Sequence, residues 1–325
     1  MPKQLTKLLL APLLLAAVVA LPACQLVPQA PVGILVEDPL EPEPLAAPFR
    51  TEIAVARISE MLQNAKLTES ERARMHYDRG VMYDSVGLSA LARYDFMRAL
   101  RLQPDMADAY NFIGIQHTVS GDFEQAYDAF DSALELEPKY QYAYLNRGIA
   151  LQYDGKLALA INDFQQFQAM KPDDPYRSLW LYLAQVEQSA PQALDTLTKH
   201  QSALDKKAWS SQIVAFYLGQ ISEADLLKAA SSDVTEPRQL AEQLCEVYFY
   251  LARWHGLKQN PTQAVAYYKK SLATNVYEFV EHRYARLEMT RLRQAVVEQA
   301  HEQESEHQHE QTQEPAETPD SGHAH

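Results

Sequence analysis

Small, aromatic and breaker residues keep one register through residues 73–174. Gly80, Gly87, Ala92, Phe96, Ala99 and Pro104 recur 34 positions on as Gly114, Gly121, Ala126, Phe130, Ala133 and Pro138. They recur again as Gly148, Gly155, Ala160, Phe164, Phe167 and Pro172. Counted from Ala73, Ala107 and Gln141, the glycines stand at positions 8 and 15. A missing side chain at position 8 suits the closest approach of two antiparallel helices, and position 15 suits a left-handed residue closing the first helix. The alanine at position 20 belongs to the same contact, the phenylalanine at 24 supplies bulk between units, and the proline at 32 stops the second helix. Each unit is therefore predicted to be a helix pair that buries its apolar face only by stacking on its neighbours.

Outside that register the pattern stays helical. Residues 51–66 carry a stripe of Ile53, Val55, Ile58, Met61 and Leu62 that needs a partner, either the first unit or a second copy of the chain. Leu179, Trp180, Leu183, Ala184 and Val186 predict one irregular helix. Others are predicted over Trp209–Leu218, over Ala224–Ala230 with Ser222 as N-cap, and near Leu240–His255. A weaker fourth unit starts at Cys245 with Tyr248, Leu251, Ala252, Ala264 and Tyr268, turns at Asn260-Pro261, and has Val276 in place of proline. Glu278–Arg293, with Phe279, Val280, Tyr284, Leu287 and Met289, is expected to cap the outer face of that last unit. The register resembles the tetratricopeptide repeat, with the large residue of position 4 present as Tyr110 and Tyr144 and replaced by His76 in the first unit. The predicted fold is all-α: a helical solenoid of such repeats (about 73–106, 107–140, 141–174 and 245–278), with additional irregular helix pairs and a C-terminal capping helix.

The two ends read differently. Met1–Ala23 has a basic start (Lys3, Lys7) and an apolar run from Leu8 to Leu21 broken by Pro12, the form of a secretory leader rather than a spanning helix. Leu21-Pro22-Ala23-Cys24 resembles a bacterial lipobox, predicting cleavage before Cys24 and acylation there; Pro22 departs from the small residue usual at that position. Gln25 after the cysteine resembles the outer-membrane destination. Six prolines in residues 25–50 read as an extended tether over 24–50, leaving 51–294 as the folded domain. Residues 295–325 are rich in Glu, Gln and His, offer little to bury, and are expected to be disordered.

Charge and chemistry narrow the function class. The formal charge is −14, with eight acids after Gln294, which argues against nucleic acid as a partner. Of two cysteines, Cys24 belongs to the leader, and Cys245 sits in an apolar, aromatic run as a small buried residue. No GxSxG, HExxH, P-loop or CxxC motif occurs, so catalysis is not expected, and no cofactor is implied. His76 and His117 hold packing positions of the repeat, while Asp173-Asp174 resembles a helix start. The five tail histidines have no ligand spacing that would predict a metal site.

The inward-facing repeat positions define a candidate partner groove: Tyr77, Val81, Asp84, Asn111, Ile115, Tyr142, Leu145, Ile149 and Gln152. Tyr77, Val81, Phe112, Tyr142 and Asn146 occupy the places where repeats binding Glu-Glu-Val-Asp carboxyl termini carry Lys, Asn and Arg, so that clamp is absent. An aromatic and apolar groove with a few amides suits a protein or helix partner. Coverage by the chain's own central helices is the alternative.

Three stretches carry a closer resemblance: Arg79–Ser85, Asp174–Ala184 and Asn275–Ala285, joined by Leu145–Leu151 in the third repeat. They resemble the NlpI family of bacterial lipoproteins. That resemblance implies a homodimeric outer-membrane lipoprotein facing the periplasm, without catalytic activity. It also implies an adaptor bringing a tail-specific protease (Prc type) to a murein endopeptidase (MepS type) and scaffolding other peptidoglycan enzymes, so regulating cell-wall turnover and division. An assembly factor for pili or outer-membrane complexes is the alternative. Metabolic labelling with palmitate tests the lipobox: label is expected on the intact chain and lost in Cys24→Ala, and unchanged label would overturn the assignment.

Overall fold

The computed structural model describes residues 40–294, and no strand occurs among them. Cys24, the leader, most of the tether and the acidic tail lie outside the described residues. The helices are α1 (Phe49–Asn64), α2 (Glu69–Ser85), α3 (Ser89–Leu102), α4 (Ala107–Ser120), α5 (Phe123–Leu136), α6 (Gln141–Tyr153) and α7 (Leu157–Met170). They continue as α8 (Pro175–Gln188), α9 (Ala190–Gln201), α10 (Ser211–Tyr217), α11 (Glu223–Ser231), α12 (Pro237–Leu257) and α13 (Pro261–Ala273). A last helix, α14, takes up residues 280–294. The pairs α2/α3, α4/α5 and α6/α7 are the three predicted repeats, α12/α13 is the fourth, and α8 to α11 are the irregular helices between. The fold is the predicted all-α solenoid.

The ladder works by contact. A Cβ placed on Gly80, Gly114 or Gly148 would lie 2.8, 2.6 or 2.9 Å from the ring of Phe96, Phe130 or Phe164, so glycine is what lets each aromatic reach the facing helix. Gly121 closes α4 at φ 81°, its N–H and that of Asp122 returning to Thr118 O and His117 O. Two repeats add a charge pair across the same gap. Arg79 binds Asp95 through Nε at 2.6 Å, and Arg147 binds Asp163 at 2.7 Å. Both acids are buried, and both pairs are separated by 16 residues. The second repeat has Ile113 and Ala129 at those positions, an apolar pair of the same register. His76 joins the first network, its Nδ1 2.7 Å from Asp95, as a packing residue.

Local signals place the later helices. Ser222 and Asp225 form a capping box on α11, Asp174 caps α8 by accepting from the Tyr176 N–H at 3.1 Å, and Asn260 caps α13. Cys245 is fully buried and its thiol is pushed up to about 12 by that burial, so it is inert. α1 buries no side chain. It meets α2 through polar contacts, Arg72 to Leu62 O at 2.7 Å and Arg79 to Ser59 Oγ at 2.8 Å, and leaves Phe49, Ile53 and Met61 exposed. The last residues of the predicted tether are packed against the folded body. Leu45 donates its N–H to Thr274 O at 3.0 Å beside Ala241 and Val276, and Leu40 O accepts from Tyr248.

The closest of the glycine contacts supplies a test. Gly114→Ala should lower the urea-unfolding free energy by about 1–2 kcal/mol, because the overpacking term of about 1–3 kcal/mol exceeds the helix-propensity gain of about 1 kcal/mol. Phe130→Leu made in the Gly114→Ala background should cost measurably less than in the parent chain, whereas additive costs would show that the two positions are not coupled.

Candidate functional site

Helix α14 is the organising element of the inner face. It follows α13 as the predicted capping helix, with His282 Nε2 3.1 Å from Leu272 O of α13, and it also lies against the first helices of several pairs. Tyr284 is fully buried, 5.8 Å from the Tyr153 ring of α6 and 6.2 Å from Trp180 of α8. Glu288 accepts from Tyr153 Oη at 3.0 Å and pairs with Arg253 of α12, while Arg291 donates to Tyr153 O at 3.0 Å. At its other end Arg283 binds Asp84 of α2 at 2.7 Å. The turn before it presses Tyr277 onto Gly87, where an added Cβ would lie 2.8 Å from the ring. The reason is apolar area: one exposed stripe on α14 and the exposed inner stripes of the repeats bury each other.

This placement divides the predicted groove residues. Leu145 and Ile149 are buried in the main core, and Asn111 is buried while accepting from Asn146 Nδ2 at 3.1 Å. Gln152 donates to Leu183 O at 3.2 Å and Glu187 Oε1 at 2.6 Å, so α8 takes it. These four present no groove to a partner, because the chain's own helices cover them. Tyr77 is half-buried against Phe96 and Phe112, its hydroxyl pushed up to about 12 by burial and then by Asp108; Val81 is also half-buried, and Tyr142 is exposed. Asp84 and Ile115 survive as walls of an open site.

That site is a cleft of about 340 Å³ between α3, α4 and the start of α14. Ile115 and Val119 give it an apolar side, and Ser89, Gln116 and Ser120 supply polar groups. Arg93, Arg283 and Arg286 bring positive charge, against which Asp84 is the single acid among the described residues of the lining, and Asp84 is held by Arg283. Burial raises the Asp84 carboxyl, with the Arg283 guanidinium opposing. These groups can bind and orient an anionic or amphipathic ligand. Among the described residues no group of three or more His, Cys, Asp or Glu side chains is arranged to hold a metal ion, and no helix is long and apolar enough to cross a membrane. Sequence reasoning missed Arg93, Arg283, Arg286 and Tyr277. Nothing periodic marks them, although Asn275–Ala285 stood out as a non-repeat segment.

No family model matches the chain. Among solved structures it is similar to MamA (41-end) from Desulfovibrio magneticus RS-1, at 17% identity over 49% of this chain and 97% of that one, TM-score 0.38. It is similar to PilF of Pseudomonas aeruginosa at 14% identity over 68% and 99% of the two chains, TM-score 0.41. A third likeness is to YrrB, a tetratricopeptide-repeat protein with an unusual peptide-binding site, at 17% identity over 58% and 96%, TM-score 0.31.

α14 brings Glu281 near Glu246 of α12, and among the described residues neither carboxyl is paired with a cation. Glu281 is buried and accepts from Tyr250 Oη at 3.3 Å; Glu246 of α12 accepts from Trp209 Nε1 at 2.8 Å. Both are pushed above the ordinary carboxylate range, by burial first, and at Glu246 by the charge of Glu281 next. The folded state thus keeps protons the unfolded state has released, and stability is lost as pH rises through the raised values. His282 acts with the opposite sign: burial lowers it to about 4, so its contribution is complete above the unfolded value near 6.5 and is lost as pH falls from there towards 4. Between pH 6.5 and 8.5 the carboxyls therefore act alone of these three. The Tm should fall by roughly 3–6 °C over that interval, and Glu246→Gln with Glu281→Gln should flatten the slope; an unchanged slope would remove the pair from the account.

Proposed function

We propose that the chain is a lipid-anchored periplasmic adaptor of the NlpI type, holding a tail-specific protease and a murein endopeptidase on one rigid body. The observation that carries this reading is the disposition of open binding surface on the first repeats. The outer side of α3 exposes Leu91, Tyr94 and Met97 at 47%, 58% and 50%, and the inner side opens into the cleft, so two faces of one helix pair are available together. Acceleration then comes from effective concentration, since two proteins held on one surface meet far more often than free ones. The lipobox at Cys24 and the resemblance of the segments around Trp180 and His282 support the membrane anchor and the family. The exposed stripe of α1 supports a second copy as its partner.

Reconstitution tests it. The purified chain alone should leave a MepS-type endopeptidase intact, and with a Prc-type protease added it should speed degradation at least tenfold over protease alone. Met97→Glu combined with Tyr94→Glu should reduce that acceleration. Equal degradation with and without the chain would sink the adaptor reading.

A further inference from the structure

Arg283 is satisfied by Asp84, but two other guanidiniums at the cleft have no hydrogen bond or ion pair among the described residues: Arg93 of α3 and Arg286 of α14. A third, Arg293, stands seven residues after Arg286, two helical turns further along α14, and is exposed with no such partner. Ser89 and Ala90, the start of a 14-residue helix without a side-chain cap, form part of the cleft wall, and an uncapped helix start favours negative charge. Gln116, on the facing wall, donates to Ser89 O at 3.3 Å while its own Oε1 is buried without a partner. On a chain of formal charge −14 this positive track is an exception. Two free guanidiniums beside an uncapped helix match a pair of carboxylates, which guanidinium binds in bidentate fashion.

The chain carries such carboxylates where α14 leads. After Gln294 come Glu298, Glu302, Glu304, Glu306, Glu310, Glu314, Glu317 and Asp320, with no lysine or arginine. Reach decides which of them matter. The helix from Arg286 to Gln294 covers about 12 Å, and the eight residues from there to Glu302 span up to about 26 Å when extended. Glu302, Glu304 and Glu306 can therefore return to the cleft. Each contact with a partly exposed arginine is individually weak, but a short covalent tether supplies a local concentration of millimolar order. We propose that the cleft binds the carboxylates of an acidic peptide, and that its occupant is the chain's own segment 302–310. The tail then competes with any acidic segment a partner offers to the same place. This inference stands apart from the adaptor reading, since it is read without protease or endopeptidase.

The test uses the full chain with p-benzoylphenylalanine replacing Ser120, an exposed position of the cleft wall. Irradiation at low salt should yield crosslinks to residues 298–310, mapped by mass spectrometry. Mixing heavy and light isotope-labelled protein should show them to lie within one chain. Yield should drop at least fivefold in 0.5 M salt, where screening shortens to a few ångströms, and equally in Arg93→Glu/Arg286→Glu. A variant with Glu302, Glu304, Glu306 and Glu310 all changed to Gln should lose the crosslink while leaving every described residue intact, so misfolding cannot account for it. Crosslinks that avoid the tail, run only between chains, or survive the Gln variant would overturn the proposal.

Discussion

The position of the cleft follows from one packing event, the burial of Tyr284 between Tyr153 and Trp180. A stack of helix pairs leaves the stripes of its first helices unpaired on one side, and apolar area of that extent is seldom left to water in a monomer. Here the chain supplies its own cover. Because Tyr284 seats α14 along α6, α8 and α12, Leu145 and Ile149 of the third repeat are buried, and the cleft opens where α14 begins, beside the first two repeats. The ion pair of Arg283 with Asp84 and the pressing of Tyr277 onto Gly87 fix that edge. The position of the cleft is thus a by-product of where the cover stops.

The same event explains which parts of the molecule were legible in the sequence. The ladder was, because each of its contacts joins residues within one unit and so repeats with the unit: glycine against phenylalanine is written three times. The charge pairs were legible in principle. Arg79 with Asp95 and Arg147 with Asp163 share one spacing, and the middle unit substitutes Ile113 with Ala129 for both members together. A lone Arg or a lone buried Asp there would carry the full desolvation penalty, so the two positions must change as a pair. Contacts of α14 were not legible. Tyr153 meets Glu288 across 135 residues, and nothing in the periodicity of either segment encodes the other. The amphipathic stripe on 280–294 said that the helix needed a partner and was silent about which. Hence Leu145, Ile149 and Asn111 read as groove residues while being buried, Gln152 is taken by hydrogen bonds to α8, and Arg93 and Arg286 went unnoticed.

Charge is distributed by the same logic. Where α14 enters the interior it carries Glu281 and Glu288 with it, and the structure treats the two differently. Glu288 meets Arg253 and the Tyr153 hydroxyl, so it is paired; Glu281 meets a tyrosine hydroxyl and no cation, and burial keeps it towards its neutral form. On the outward side of the helix Arg283 pairs with Asp84, while Arg286 and Arg293 have no hydrogen bond or ion pair among the described residues. One helix therefore presents neutralised or paired acid inward and free cation outward, so the cleft it borders is positive on a chain that is negative overall.

In an open array of repeats each unit touches only its neighbours, and stability approximates a sum of unit and interface terms. This chain departs from that condition. α14 connects the first repeat to α6, α8 and α12, while Leu45 connects the segment before α1 to the end of α13. Loss of a contact at Tyr284 therefore removes support from helices far apart in sequence, and local opening of any one pair is restrained by the rest. Such closure costs conformational entropy that a free tail would keep. In return it fixes the spacing between the outer face of α3 and the cleft behind it, since both are held by the same pair of helices. Under the proposed adaptor function such rigidity is an advantage, because effective concentration falls when the spacing between two bound proteins can wander.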